Sequence, residues 1–262
     1  MPTLVLSPRY TDDSKTLRAA AGRAGWKTER LGGWRAPAHL RGEDVVLYGE
    51  PTFVEVIAAR LGLALIDAPQ DWLLHLPERH RRRAVNESTL AETRRLFSAP
   101  AFVKPADGRK AFEGKVYDSA ADLPGALPAD TEVFVAEPVT WEIEFRCFVL
   151  EGEVVTMSPY LRDGELALTG DGRWDASDED VRAARDYAAE LLADPLVRVP
   201  PAVVIDVGRV RDRGWAVVEA NAAWGAGLYG CPPETVLPVL ARSCSPRPPD
   251  AEWTVTPVQL TE

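Results

Sequence analysis

Hydrophobic residues fall into two textures along the chain. Up to about residue 80 they gather in short unbroken runs, Thr3–Leu6, Val45–Tyr48 and Leu63–Ile66, each the length of a buried strand. Between them the spacing is helical. Asp12, Asp13 and Ser14 offer an N-cap to an Ala-rich stretch that runs to Ala24 and stops at Gly25. Pro51 opens a second helix, in which Thr52 and Glu55 have capping-box spacing, Phe53, Val54, Ile57 and Leu61 form the apolar side and Gly62 ends it. Strands alternating with helices predict a small parallel sheet with both faces covered. No glycine fingerprint follows the first strand, so no dinucleotide site is expected there.

From Ala101 the pattern changes to hairpins. A helix with Thr89 and Glu92 at capping-box spacing, and Leu90, Leu96 and Phe97 as its apolar side, leads into a strand at Ala101–Lys104. A loop follows from Gly108 to Gly114, and Lys115–Tyr117 returns. Val133–Ala136 is a further strand. Residues 142–149 alternate strictly, with Ile143, Phe145, Cys147 and Val149 on one side and Glu142, Glu144 and Arg146 on the other; Val154–Tyr160 pairs with them across Glu151-Gly152-Glu153. Ser177 caps a helix with Val181, Ala184, Ala188, Leu191 and Leu192 inward. Val203–Val210 and Trp215–Ala220 form a last hairpin, Pro232–Ala241 a short helix, and the Pro-rich stretch after Ser245 is expected to wrap the surface.

Composition narrows the classes. The chain has 262 residues, 46% of them hydrophobic and 27% charged, which excludes the disorder signature and allows one large or two small domains. The texture change puts the boundary between residues 1–84 and 85–262. With 30 Lys+Arg against 40 Asp+Glu the net charge is −10, unsuited to bulk nucleic-acid binding. Cys147, Cys231 and Cys244, and His39, His75 and His80, show no metal-ligand spacing. No apolar run reaches the ~20 residues of a membrane span and no signal-peptide pattern opens the chain. The default is a soluble cytoplasmic protein. Residues 78–83, Glu-Arg-His-Arg-Arg-Arg, are either a solvated helix face or linker, or an anion-attracting patch suited to an acidic partner.

The chemistry is densest in Asp206-Val-Gly and Val218-Glu219-Ala-Asn221. Glu219 and Asn221, two apart on a strand, share a face. A hairpin turning symmetrically about Asp212–Arg213 makes Asp206 the direct cross-strand neighbour of Glu219. Like charges so placed are destabilising unless something lies between them. Two carboxylates and a carboxamide fit a hard cation such as Mg²⁺, which takes oxygen ligands. Lys104, at the end of an apolar strand, suits a phosphate hook, and the loop Asp107–Lys115 adds three cations and two glycines whose backbone N–H groups can approach phosphate. A solvated hairpin tip explains that loop equally well.

Together, Pro100-Ala-Phe-Val-Lys-Pro105, Glu144-Phe-Arg146 and Asp206-Val-Gly … Val218-Glu-Ala-Asn221 resemble the ATP-grasp superfamily over roughly residues 85–245. They are most similar to a compact clade with no settled substrate, distantly similar to RimK-like and glutathione-synthetase-like ligases. The resemblance implies an α/β fold with an α+β core, preceded by a small parallel α/β domain. It implies ATP and Mg²⁺. Lys104 would meet the phosphates, with Lys110 or Lys115 from the lid as second contact. Val135 to Val139 would be the hinge beside adenine, where Glu137 takes part or merely ends a strand, and Glu142 or Glu144 would reach the ribose. Arg146 would face phosphates or an acylphosphate, Lys104 and Arg146 carrying the catalytic charge, and Asp206, Glu219 and Asn221 would hold Mg²⁺. Trp224 and Tyr229 would line a substrate pocket or be core.

The implied activity is joining a small-molecule or peptide carboxylate to an amine or thiol through an acylphosphate. The alternatives are a phosphotransferase and a non-catalytic nucleotide-binding or protein-interaction module. Homodimers are common in the superfamily.

Overall fold

In a computed structural model, which describes residues 1–106, 111–246 and 251–255, β1 (Thr3–Leu6), β2 (Lys27–Arg30) and β3 (Val45–Tyr48) run parallel in the order β2-β1-β3. Helix α1 (Asp12–Arg23) covers one face, where Leu4, Leu6, Leu17 and Val46 pack together. Helix α2 (Pro51–Leu61) covers the other, with Val5, Leu47, Phe53 and Ile57. The sheet was expected, but its membership differs. Strand β2 reads Lys-Thr-Glu-Arg and sits on an edge, so no apolar run marks it. The run at Leu63–Ile66 supplies only β4 (Ala64–Leu65), which pairs antiparallel with β14 (Cys244–Ser245). The caps also move. Thr11, not Asp12, Asp13 or Ser14, caps α1 in a capping box with Ser14, and α2 starts from Glu50 with Pro51 in its first turn and no side-chain cap.

Two short helices, α3 (Trp72–His75) and α4 (Glu78–Arg81), lead to a four-stranded antiparallel sheet. Its order is β5 (Val85–Thr89), β8 (Glu132–Ala136), β6 (Ala101–Pro105), β7 (Lys115–Tyr117). Helix α5 (Leu90–Leu96), capped by Thr89, packs on it through Leu90, while Leu96 is exposed because the helix ends there. The larger sheet has the order β11-β10-β9-β12-β13, from β9 (Trp141–Leu150), β10 (Glu153–Arg162), β11 (Glu165–Leu166), β12 (Ala202–Val210) and β13 (Gly214–Asn221). One face, with Ile143, Phe145, Cys147, Val203 and Ile205, packs under α6 (Asp178–Ala193), capped by Ser177. On the other, Phe148 and Val204 join α1 and α7 (Pro233–Arg242) in one core, so the parallel sheet and the larger sheet share buried residues. Trp253, near the chain end, is buried beside Ile66 and Trp72.

The basic run at 78–83 is bound to its own chain rather than presented outward. Arg79 and His80 pair with Asp194, and Arg82 donates to the Trp215 carbonyl. Arg83 is buried, stacked on Trp141, and donates to the carbonyls of Val217 and Val218 at 2.7 and 2.9 Å. These ties replace the anion-attracting patch considered above.

Candidate active site

Strand alternation puts Glu144 and Arg146 on the side of β9 opposite its apolar core residues. In register, Arg146 stands opposite Asp206 on β12, and Asp206 opposite Glu219 on β13. The hairpin tip pairs Val210 with Gly214 and Val207 with Val217. A bulge then adds one residue, Val218, and brings Glu219 across from Asp206. The expected neighbours are therefore joined, through a turn centred on Asp212 plus a bulge rather than a symmetric turn. Arg83, on the Val217 and Val218 carbonyls, fastens that bulge.

The side chains form one connected series. Lys104, from the four-stranded sheet, donates to Glu219 Oε2 at 2.9 Å. Asn221 Nδ2 lies 3.2 Å from both Glu219 Oε1 and Asp206 Oδ2. Arg146 clasps Asp206 with two bonds, Nε to Oδ1 at 2.9 Å and Nη2 to Oδ2 at 2.6 Å, and its Nη1 donates to the Gly227 carbonyl at 3.2 Å. Asp206 is fully buried, whereas about a third of the Lys104 and Glu219 side chains is exposed, so the series runs from the interior to an open end. Burial pushes the Asp206 carboxyl up and the Arg146 fork opposes it. Burial acts the same way on Glu219, but Lys104 and Asn221 outweigh it and hold that carboxyl below its usual range.

The Arg146 guanidinium lies 5.3 Å from the Tyr160 ring centroid and 4.8 Å from that of Tyr229. Tyr160 occupies the irregularity between Pro159 and Leu161 in β10 and donates to Glu144 Oε2 at 2.7 Å. Tyr229 has φ +51°, a left-handed conformation that a bulky residue seldom adopts. Beside it Gly230 is obligatory, since a Cβ there would stand 2.8 Å from Trp174 Cδ1.

Burial raises the Glu144 carboxyl to about 7; its bond from Tyr160 opposes the rise, and the charges of Asp206 and Glu219 add to it. Between pH 4.5 and 7 the unfolded chain releases this proton while the folded one keeps it, so stability falls as pH rises through that window. The ligand-free protein should lose about 2–3 kcal/mol by this route between about pH 5 and pH 8. Glu144→Gln should lack that loss, so its advantage over the wild type in urea denaturation grows across the same range. An equal difference at both ends would show that Glu144 titrates normally.

The remaining expected residues stand apart from this series. Glu137 is exposed and paired with Arg213, and Val139 is half-buried in the segment between β8 and β9. Glu142 is engaged by Arg209 and Arg211. Lys115 pairs with Glu113 at 3.2 Å and lies over Tyr117. Lys110 lies outside the described residues. Trp224 is core, its indole N–H bonded to the Ile66 carbonyl. Sequence reasoning missed Tyr160 and Arg83. The signal for the first was Pro159 inside a strand, which marks an edge or a bulge; nothing local marked the second.

The donor set suits a hard cation in part. Glu219 and Asn221 offer oxygens at the open end, whereas both Asp206 oxygens are held by Arg146. Among the described residues no group of three His, Cys, Asp or Glu side chains is arranged as a metal site.

Residues 80–239 match the model of an ATP-grasp domain family, family 2 of its clade. The chain belongs to that family. No curated protein matches the sequence of this ATP-grasp chain. Among solved structures, the RimK domain ATP-grasp protein of Sphaerobacter thermophilus is 14% identical over 92% of this chain and 98% of its own, with a TM-score of 0.57. The D-alanine–D-alanine ligase of Bacillus anthracis is 12% identical over 93% and 97%, at 0.55. The L-amino acid ligase of Bacillus licheniformis is 17% identical over 95% and 75%, at 0.56. At these identities the likeness is one of fold, and it bears out the ATP-grasp architecture expected from the motifs. No helix among the described residues is long and apolar enough to cross a membrane.

Proposed function

We propose that this ATP-grasp chain is an ATP-dependent ligase that activates a small-molecule or peptide carboxylate as an acylphosphate and joins it to an amine. The observation that carries this reading is the series Lys104–Glu219–Asn221–Asp206–Arg146, which spans two sheets and ends half-exposed. Lys104 binds the triphosphate, assisted from the lid by Lys115 or Lys110. The segment around Glu137 and Val139 borders the base, and Glu144 lies toward the ribose. Glu219, Asn221 and, on release from the Arg146 fork, Asp206 are the residues that would hold Mg²⁺. The ion would neutralise charge on the phosphates.

A carboxylate oxygen attacks the γ-phosphorus, the bond to the ADP oxygen breaks, and Arg146 stabilises the charge on the transferring group. The amine nitrogen then attacks the acyl carbon, phosphate leaves with the C–O electron pair, and the amine proton passes to solvent. No nucleophilic side chain is needed, in keeping with the three buried cysteines. Such ligases trap hydroxylamine as a hydroxamate. With Mg-ATP, a carboxylate panel and hydroxylamine, ADP and hydroxamate should form together. ADP with a stable phosphorylated product and no hydroxamate would make the protein a phosphotransferase. Absence of both products, with no stabilisation by Mg-ATP, would leave it a non-catalytic module.

A further inference from the structure

Asp206 and Gly227 take three of the five N–H groups of Arg146. The two left over, one on each Nη, lie on the outer edge of the guanidinium, away from Asp206. Gly227 stands beside that edge. A Cβ at Gly227 would come 3.7 Å from Arg146 Nη1, 3.6 Å from Tyr229 Cε2 and 3.5 Å from Asp13 Oδ2. The missing side chain therefore leaves a niche with a guanidinium on one side, a carboxylate on the other and a tyrosine ring between them.

Asp13 reaches this point from α1. Its Oδ2 accepts from the Leu228 N–H at 3.1 Å and from the Tyr48 hydroxyl at 3.4 Å, and its Oδ1 makes no hydrogen bond among the described residues. Asp13 and Arg146 face the same niche, yet no ion pair joins them among the described residues. The position has a topological reason. Asp13 follows β1 and Tyr48 ends β3, and the helices after these two neighbouring strands lie on opposite faces of the parallel sheet. The crevice outside the carboxyl ends of such a strand pair is where open α/β sheets seat ligands.

We propose that the niche is the binding site of an α-amino-acid donor, with its ammonium on Asp13 and its carboxylate, the group to be activated, on the outer edge of Arg146. An α-amino acid carries both charges one carbon apart, and charge-assisted hydrogen bonds of about 2.7–2.9 Å at either end suit a gap of this width. This rests on the ligase reading above and names its substrate class.

The test uses the full chain with Mg-ATP and hydroxylamine. The probes are the twenty free amino acids, their N-acetyl forms and the matching carboxylates without the amino group. At least one free amino acid should be used with a KM at least ~30-fold below that of its N-acetyl and desamino counterparts. Asp13→Asn keeps an acceptor for Leu228 and Tyr48 but loses the charge. It should raise the KM of that amino acid at least ~30-fold, leaving the KM for ATP and the melting midpoint near wild-type values. Gly227→Ala fills the niche at ordinary contact distances and should have the same effect. Equal use of free and N-acetyl forms, an unchanged KM in Asp13→Asn, or no turnover of any amino acid by protein that Mg-ATP does stabilise would each overturn the proposal. Absence of any Mg-ATP stabilisation would instead remove the ligase reading and the niche's role with it.

Discussion

An Asp206→Ala variant is expected to lose about 3–5 kcal/mol of stability, the usual cost of removing one partner from a buried ion pair. Arg146 is only 7% exposed and lies between two tyrosine rings, so water does not replace the two bonds it would lose. Asp206→Asn keeps one acceptor and should lose less. The double variant Asp206→Ala with Arg146→Met removes both charges and should be more stable than Asp206→Ala alone, because no uncompensated charge is left buried. Urea denaturation at neutral pH checks this, provided the slope with denaturant is the same for all variants. If Asp206→Ala costs less than about 1 kcal/mol, the pair is hydrated and Arg146 is not held in place by Asp206. The same variants bear on function. Arg146 is aimed by Asp206, so Asp206→Asn should lower kcat even where the protein remains folded.

The sequence carried this arrangement unevenly. The face shared by Glu219 and Asn221 follows from strand period alone, and so does the separation of Arg146 from Phe145 and Cys147. The contact of Asp206 with Glu219 was reached by assuming a symmetric turn. The tip in fact turns about Asp212, at φ +62°, and the Val218 bulge restores the register. Two local departures cancel, and no pattern of hydrophobicity reports either. Strand β2 was invisible because an edge strand flanking a buried one needs no apolar run. The arginines at 79–83 resembled a surface patch because composition records charge but not partners, which lie more than 100 residues away at Asp194, Trp215 and Val217. Asp13 resembled a helix-start residue for the same reason: its bonds to Leu228 and Tyr48 are tertiary.

Saturating Mg-ATP, at about 100 times its Kd, is expected to stabilise the protein by about 2.7 kcal/mol. For a chain of this size that is a rise in melting midpoint of roughly 5–10 °C. Lys104 and Glu219 should respond to substitution with different signs. They are each other's partners at 2.9 Å, with about a third of each side chain exposed, so the pair itself adds little to stability. Binding of Mg-ATP parts them, Lys104 going to phosphate and Glu219 to the ion. Lys104→Met removes a charged hydrogen bond to phosphate worth about 1.5–3 kcal/mol and should weaken Mg-ATP roughly 10–100-fold. It also frees Glu219 from a competing cation, so calorimetry should find Mg²⁺ alone bound more tightly than by the wild type. Glu219→Gln should weaken both, since it removes the charge the ion needs while leaving Lys104 in place. A Lys104→Met variant with the full Mg-ATP shift, or a Glu219→Gln variant with unchanged Mg²⁺ affinity, would make the pair a tie between two sheets and nothing more.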